Sequence, residues 1–259
     1  MKNYNEKFHI ATFSNNAVST AEKYGFGLEI NNFCISNNLN PENIEKTIES
    51  VIDDISKSGC GDRIIMHGPF TELTPDAIDS RAINLMRERY IQTFEVCKRL
   101  KIAKIVLHSG YIPLMYQKNW HKERSIEFWR ILSEEIPEGM TVFIENVFED
   151  EPFLLRDVVS ETNRKNIRAC LDIGHANAMT DKRYDIFDWI DTLAEVTGHF
   201  HIHNNNGRAD LHDDIDKGTM DMGKILKYID GKLPAETTLT IESTGSEASA
   251  AFIRELYSK

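Results

Sequence analysis

Residues 199–213 read HFHIHNNNGRADLHD. His199, His201 and His203 alternate with Phe200 and Ile202, which is the period of a strand. The three histidines therefore share one face and the two apolar residues the other. A polar loop follows, carrying Asp210 and His212. A strand with one apolar face and one face of metal-capable side chains must be covered by helices on the first and must converge on something with the second.

The same unit recurs along the chain. Short apolar or β-branched runs ending in a polar residue stand at 7–12, 27–31, 63–67, 104–108, 141–145, 168–172, 199–203 and 238–242. Amphipathic stretches alternate with them near 17–24, 41–57, 75–101, 120–135, 151–163, 181–196, 221–230 and 246–257. Pro41, Pro75 and Pro152 suit first helical turns, and Gly25, Gly59, Gly198 and Gly231 sit where helices should stop. Eight strands alternating with eight helices in 259 residues is the size and order of a (β/α)8 TIM barrel. A doubly wound open sheet is the other candidate, but no Gly-rich phosphate loop follows the first strand. No Pro/Gly/Ser tract divides the chain, so residues 1–259 read as a single α/β domain.

Composition bounds the function. At 41% hydrophobic residues the chain can bury a large core. Its N-terminal stretch has no signal-like apolar run, and nothing approaches a membrane span. The four cysteines, without a C-x-x-C pair, read as reduced thiols of a cytoplasmic protein. A net charge of −11 argues against a polyanionic partner such as nucleic acid. The loops "NNFCISNNLN" and "GPFTELTPD" after strands two and three carry no basic residue. Only "YIPLMYQKNWHKER" (111–124) mixes aromatic and basic side chains; it reads as a loop entering a helix with a solvated face, or as an aromatic wall over a sugar ring.

The strand ends carry the chemistry. Strands three to eight end at or near His67, His108, Glu145, Asp172, His201 and Glu242. In a barrel these converge on the axis at the C-terminal rim, where barrel enzymes place their sites. Any one such histidine is more often a hydrogen-bonded core residue, and a lone strand-end acid is often a helix cap. Six neighbouring strands delivering them together would bury like charges in one mouth, which is costly without cations. Mixed imidazole and carboxylate donors suit Zn²⁺, Mn²⁺, Fe²⁺ or Co²⁺.

These residues resemble the xylose isomerase-like TIM barrels, which include sugar isomerases and epimerases and the type IV apurinic-site endonucleases. "CLDIGHANA" (170–178) resembles the endonuclease C-L-D-x-x-H-A-x-A, "HGPF" (67–70) its H-x-P-[FY], and "DLHDDIDKG" (210–218) its D-x-H-x-x-I-G-x-G. That resemblance implies up to three zinc ions on His67, His108, Glu145, Asp172, His175, His201, Asp210, His212 and Glu242. The epimerase resemblance implies one divalent ion, often Mn²⁺, on Glu145, Asp172, His201 and Glu242. The two glutamates would exchange substrate protons through an enediolate, and His175 and Arg208 would bind hydroxyls. The chain has D-x-G-H where the endonucleases carry D-x-C-H, lacks the aspartate of their H-x-N-D, and has Asp216 for the first glycine of I-G-x-G. These departures weigh toward an isomerase or epimerase of a small polyhydroxylated substrate, ahead of a multi-zinc phosphodiester hydrolase and a non-catalytic metal- or sugar-binding barrel.

The remaining candidates follow by position. His203 reads as a rim residue meeting substrate, and Glu29 as a mouth residue touching it. His199 and His9 read as barrel interior, His121 as a solvated helix residue. A homo-oligomer is left open.

Overall fold

The computed structural model describes residues 4–181 and 183–258. Eight parallel strands close into a barrel in chain order: β1 (Phe8–Ala11), β2 (Gly27–Ile30), β3 (Ile64–His67), β4 (Lys104–His108), β5 (Thr141–Glu145), β6 (Ile167–Asp172), β7 (Thr197–Ile202) and β8 (Thr238–Ile241), with β8 pairing back onto β1. Among the described residues the helices are α1 (Ala17–Tyr24), α2 (Ile44–Ser58), α3 (Ser80–Leu100), α4 (Lys118–Leu132), α5 (Phe153–Thr162), α6 (Ile173–Met179), α7 (Ile186–Leu193), α8 (Met222–Lys232) and α9 (Ser246–Tyr257). The chain is a (β/α)8 TIM barrel.

Period-two alternation divides each strand between two environments. Ile64, Met66, Ile105, Leu107, Val142, Ile144, Leu171, Phe200 and Ile202 pack into the large core between strands and helices. Ile65, Val106, Phe143 and Cys170 form a small separate cluster inside the barrel. Two residues further along β3 to β6, the inward positions are His67, His108, Glu145 and Asp172. The apolar plug is thus one layer deep, and the layer toward the mouth is polar.

Some element ends differ from the sequence reading. α3 begins at Ser80 and not near Pro75, because Asp79 caps it by accepting from Arg81 N–H (2.8 Å), while the Asp76 carboxylate is engaged by His121 and Thr74. His121 is consequently not solvated: it is 1% exposed and bonded to Asp76 (2.9 Å) and Ser125 (3.1 Å). Gly25 and Gly59 do end helices in left-handed geometry. Gly231 lies inside α8, and Gly198 lies in β7, where a Cβ would come 2.7 Å from Phe143. α6, squeezed between Asp172 and the α7 entry, is an additional helix of only 7 residues.

His9 is buried inside the barrel, and burial drops its pKa to about 3, so it is a neutral imidazole. It lies against Gly27: a Cβ there would be 2.3 Å from its ring and 2.5 Å from the Arg63 carbonyl. Gly27→Ala should cost about 1–3 kcal/mol in urea unfolding, the usual range for overpacking. Adding His9→Ala should recover part of that loss and no more, since the carbonyl clash remains. A Gly27→Ala protein as stable as wild type would show the contact to be relaxed.

Candidate functional site

Each inward strand end lands in one buried cluster. Glu145 is its centre: its carboxylate lies 3.3 Å from His67, 3.4 Å from His108, 3.4 Å from His175 and 3.1 Å from His201. His201 Nδ1 also faces Glu242 (3.3 Å) and Asp172 (3.8 Å). Among the described residues the donor atoms sort into five groups, each within 4.8 Å: His67, His108 and Glu145; Glu145, Asp172, His201 and Glu242; His175, His203, Asp210 and His212; and two that reach deeper and share His201, namely Glu29, His67, His201 and Glu242, and Cys170, His199 and His201. All nine residues expected as metal ligands are brought together.

The loops hold these groups by local structure. Asp172 caps α6, accepting from His175 N–H (2.6 Å). Asn146, which carries no motif of its own, extends the β5–β6 pairing with its side chain: its amide accepts from Asp172 N–H and donates to Asp172 C=O, both at 2.9 Å. His175 Nδ1 lies 2.9 Å from the Asn146 carbonyl, and His212 Nδ1 lies 2.7 Å from the Glu242 carbonyl. Only an N–H can meet a carbonyl, so both rings are fixed with Nε2 free to act as a ligand.

The donor set fits a cation. Glu145 Oε1, Asp172 Oδ2, both nitrogens of His201 and both of His203 are buried without a hydrogen-bond partner, although burying such atoms unpaired costs about 1–3 kcal/mol each. Burial alone would raise the Glu145 pKa, but the imidazoles around it, His201 first, outweigh it and hold the carboxyl well below its ordinary range. Burial likewise opposes charge on His201, and the acids around it outweigh that and push its pKa well up. An imidazolium and a metal ion meet the same electrostatic demand here.

Other sequence-level candidates fall elsewhere. Glu29 does not reach the mouth: it is wholly buried below the cluster, accepting from Thr240 Oγ1 (2.5 Å) and set 3.2 Å from His199 and 3.1 Å from His201. The alternation on β2 turns it into the barrel, where its carboxylate shares a donor group with His67, His201 and Glu242. His203 directly follows β7, two residues nearer the mouth than His201, and is 0% exposed. Arg208 is exposed, and among the described residues its guanidinium has no ion-pair partner. His199 is buried and bonded to Thr238 (2.8 Å). Cys34 stands 3.2 Å from His67 Nδ1, which nothing in its sequence surroundings signals. Beside His108, a cavity of about 330 Å³ is lined by Phe70, Leu73, Tyr111, Ile112 and Phe148, with Phe70 stacked on the His108 ring at 4.2 Å. Part of the 111–124 stretch therefore walls the mouth.

With this geometry in place, comparison with known proteins decides the family. The sequence model of the xylose isomerase-like TIM barrel matches residues 19–256. The chain belongs to that family. An uncharacterized protein of Methanocaldococcus jannaschii, MJ1311, is 29% identical over 176 residues, 64% of this chain and 59% of that protein. The chain thus spans less than two thirds of that relative. Among solved structures, the Thermus thermophilus protein TTHB071, soaked with zinc chloride, superposes with a TM-score of 0.78 at 22% identity, covering 97% of this chain and 98% of that one. A D-tagatose 3-epimerase-like protein gives 0.76 at 22% identity, covering 97% of each chain. Among the described residues no helix is long and apolar enough to cross a membrane.

Two outcomes follow from the site. Chelator-treated protein should melt higher when Zn²⁺ or Mn²⁺ is added, by about 2.7 kcal/mol of stability at a hundredfold excess over Kd. Glu145→Gln, which touches two donor groups, should lose most of that gain; an unchanged melting curve in the wild type would remove the metal reading. The second concerns Glu149, 2% exposed, whose pKa is raised by burial. A carboxyl that is more basic when folded stabilises the fold at low pH and loses that contribution as pH rises through its folded pKa. Glu149→Gln should therefore flatten the fall in stability as pH rises from the ordinary carboxylate range to neutrality, and be the more stable form above it, as urea midpoints would show.

Proposed function

We propose that the protein is a divalent-metal-dependent isomerase or epimerase of a small polyhydroxylated substrate, a sugar or sugar derivative. One observation carries this reading: Glu145, Asp172, His201 and Glu242 form a single donor group at the closed end of the mouth. Two of its four members are glutamates from non-neighbouring strands, one ending β5 and one directly following β8. The likeness to a D-tagatose 3-epimerase-like protein supports it.

A divalent ion held by these four residues would polarise a substrate carbonyl and make the adjacent C–H acidic. The rest is work for the chain's own groups. Glu145, kept ionised by His201 against the opposing effect of burial, would be the proton acceptor; its lowered pKa makes it a weak base, so the acidity of the carbon must come from the ion. Glu242, which directly follows β8, would return one. His175 Nε2 faces the same mouth and could donate to, or accept from, a substrate hydroxyl. The cavity beside His108 offers an apolar wall of Phe70, Tyr111, Ile112 and Phe148 to a bound substrate.

A second reading is favoured by a specific observation: Glu145 belongs to two donor groups at once, and the group of His175, His203, Asp210 and His212 lies alongside them. That pattern suits multi-zinc hydrolysis of a phosphodiester, in which Glu145 bridges two ions. A barrel that binds metal and sugar without turnover is the remaining alternative.

The experiment is exchange of substrate C–H hydrogen with deuterated solvent across ketoses, aldoses and their phosphates, with metal supplied. Wild type should exchange with at least one. Glu145→Gln and Glu242→Gln keep shape and one oxygen donor but remove the base, so exchange should fall by about 10²–10⁴. Retained metal binding in Glu242→Gln would separate chemistry from ligation. No exchange, together with metal-dependent cleavage of an abasic-site duplex or a simple phosphodiester, would reverse the order of the two readings.

A further inference from the structure

Glu29 is a buried carboxylate that the proton transfers above do not use. Its two oxygens have different surroundings. Oε2 accepts from Thr240 Oγ1 (2.5 Å) and faces His199 Nε2 (3.2 Å), and the other nitrogen of that ring, Nδ1, meets Thr238 Oγ1 (2.8 Å). Oε1 lies 3.1 Å from His201 Nε2, off the line of a straight hydrogen bond, and neither atom has another partner. We propose that Glu29 is a positioning residue for the metal group: by taking the Nε2–H of His201 it fixes the tautomer in which Nδ1 is the donor to the ion.

A neutral imidazole carries one hydrogen on two nitrogens that point in different directions. In His201, Nδ1 faces the donor group, with Glu145 at 3.1 Å, Glu242 at 3.3 Å and Asp172 at 3.8 Å. Nε2 faces Glu29 instead. For Nδ1 to offer its lone pair to a cation, the hydrogen must sit on Nε2. The ring is wholly buried, so that N–H needs an acceptor from the chain. Cys170 shares a donor group with His199 and His201, but burial raises its pKa, and a thiol is a weak acceptor beside a carboxylate. Ligating histidines are ordinarily held by a second bond of this kind, which fixes the ring and raises its basicity. His175 and His212 have backbone carbonyls in that place and leave Nε2 free. His201 is the reverse case, with Nδ1 free and a full charge behind Nε2.

Direct ligation by Glu29 is the competing arrangement, since its carboxylate also shares a donor group with His67, His201 and Glu242. An ion on that side would have to take Nε2 of His201. The hydrogen would then move to Nδ1, and His201 would be lost to the group with Glu145, Asp172 and Glu242. The proposal rests on the metal-dependent reading of that group and adds to it a residue that touches neither ion nor substrate.

The test follows the side-chain ¹⁵N resonances of His201 in the full chain, stripped with chelator and titrated with Zn²⁺. In the zinc-loaded wild type, Nδ1 should show the metal-bound shift and Nε2 should carry the hydrogen. The free zinc that half-saturates His201 should rise about 10–100-fold in Glu29→Leu, the loss typical of removing such a supporting partner. Glu29→Gln, whose amide oxygen can still accept, should lose less. Thr238→Val cuts the bond to His199 Nδ1 in the same buried layer; it should leave half-saturation unchanged even where it lowers stability, which separates positioning from packing. A zinc-bound Nε2 with the hydrogen on Nδ1 would make Glu29 a ligand and overturn the proposal. So would a folded Glu29→Leu protein that takes up zinc at His201 as the wild type does, and this result would leave the metal reading standing. A wild type that takes up no zinc at His201 would overturn both. The tautomer is read in the wild type, so a variant that fails to fold leaves the test intact.

Discussion

Glu145 is the interaction on which the rest of the site depends. A carboxylate that is 1% exposed, with four imidazoles between 3.1 and 3.4 Å away, has no solvent to stabilise it. Desolvating such a charge costs several kcal/mol even after relaxation, so it persists only if the surroundings return that energy. The closed barrel makes this unavoidable. Once eight strands pair in a ring with side chains alternating, inward residues of each layer point at the axis, and neighbouring strand ends cannot avoid one another. The apolar plug of Ile65, Val106, Phe143 and Cys170 below, and the polar layer above, are two consequences of that one geometry.

How much of this was legible follows from which interactions are local. β4, β5, α1 and α9 agree with the sequence reading to the residue, because their periodicity and their end residues are written in the segment itself. The convergence of the six strand-end candidates was legible too, since period two plus closure fixes direction, while His175, Asp210 and His212 were legible through the motifs of the family resemblance. His121 was misplaced because its partner Asp76 is 45 residues away and changes a polar helical position into a buried one. Glu29 was assigned to the mouth because strand-end position is visible in sequence, whereas depth within the barrel depends on the relative register of neighbouring strands. Glu29 pairs level with Ile65, two residues short of His67, and so lies a layer deeper.

Asn146 shows how a loop residue can matter through position alone. It directly follows Glu145, so its side chain occupies the place where β5 would otherwise have continued. By satisfying both backbone groups of Asp172 it keeps strand-like pairing after the strand has ended, while its own carbonyl orients His175. Three candidate ligands are thereby tied to one another through a single residue. A motif search sees only Glu145, Asp172 and His175; the connection is visible once β5 and β6 lie side by side.

Charge balance links the donor groups more tightly than their distances do. Glu29, Glu145, Asp172, Asp210 and Glu242 bring five carboxylates to one region. One divalent ion neutralises two of those charges and three ions exceed them by one, so imidazolium must supply the difference when few ions are bound. The pKa directions agree: acids outweigh the opposing effect of burial and raise His175 and His201, while burial takes His108, the most exposed of the ligand histidines around Glu145, down to about 3. Two dications a few ångströms apart repel by several times the ~4 kcal/mol of unit charges at 4 Å and an effective dielectric of 20, so adjoining positions can fill together only with a carboxylate between them. Glu145 is that carboxylate for the first two groups. Between the second and third the nearest is Asp172, whose two oxygens face His201 and His203 separately. Loading one position therefore alters the cost of loading the next, and each added ion must displace protons from the histidines that had been standing in for it.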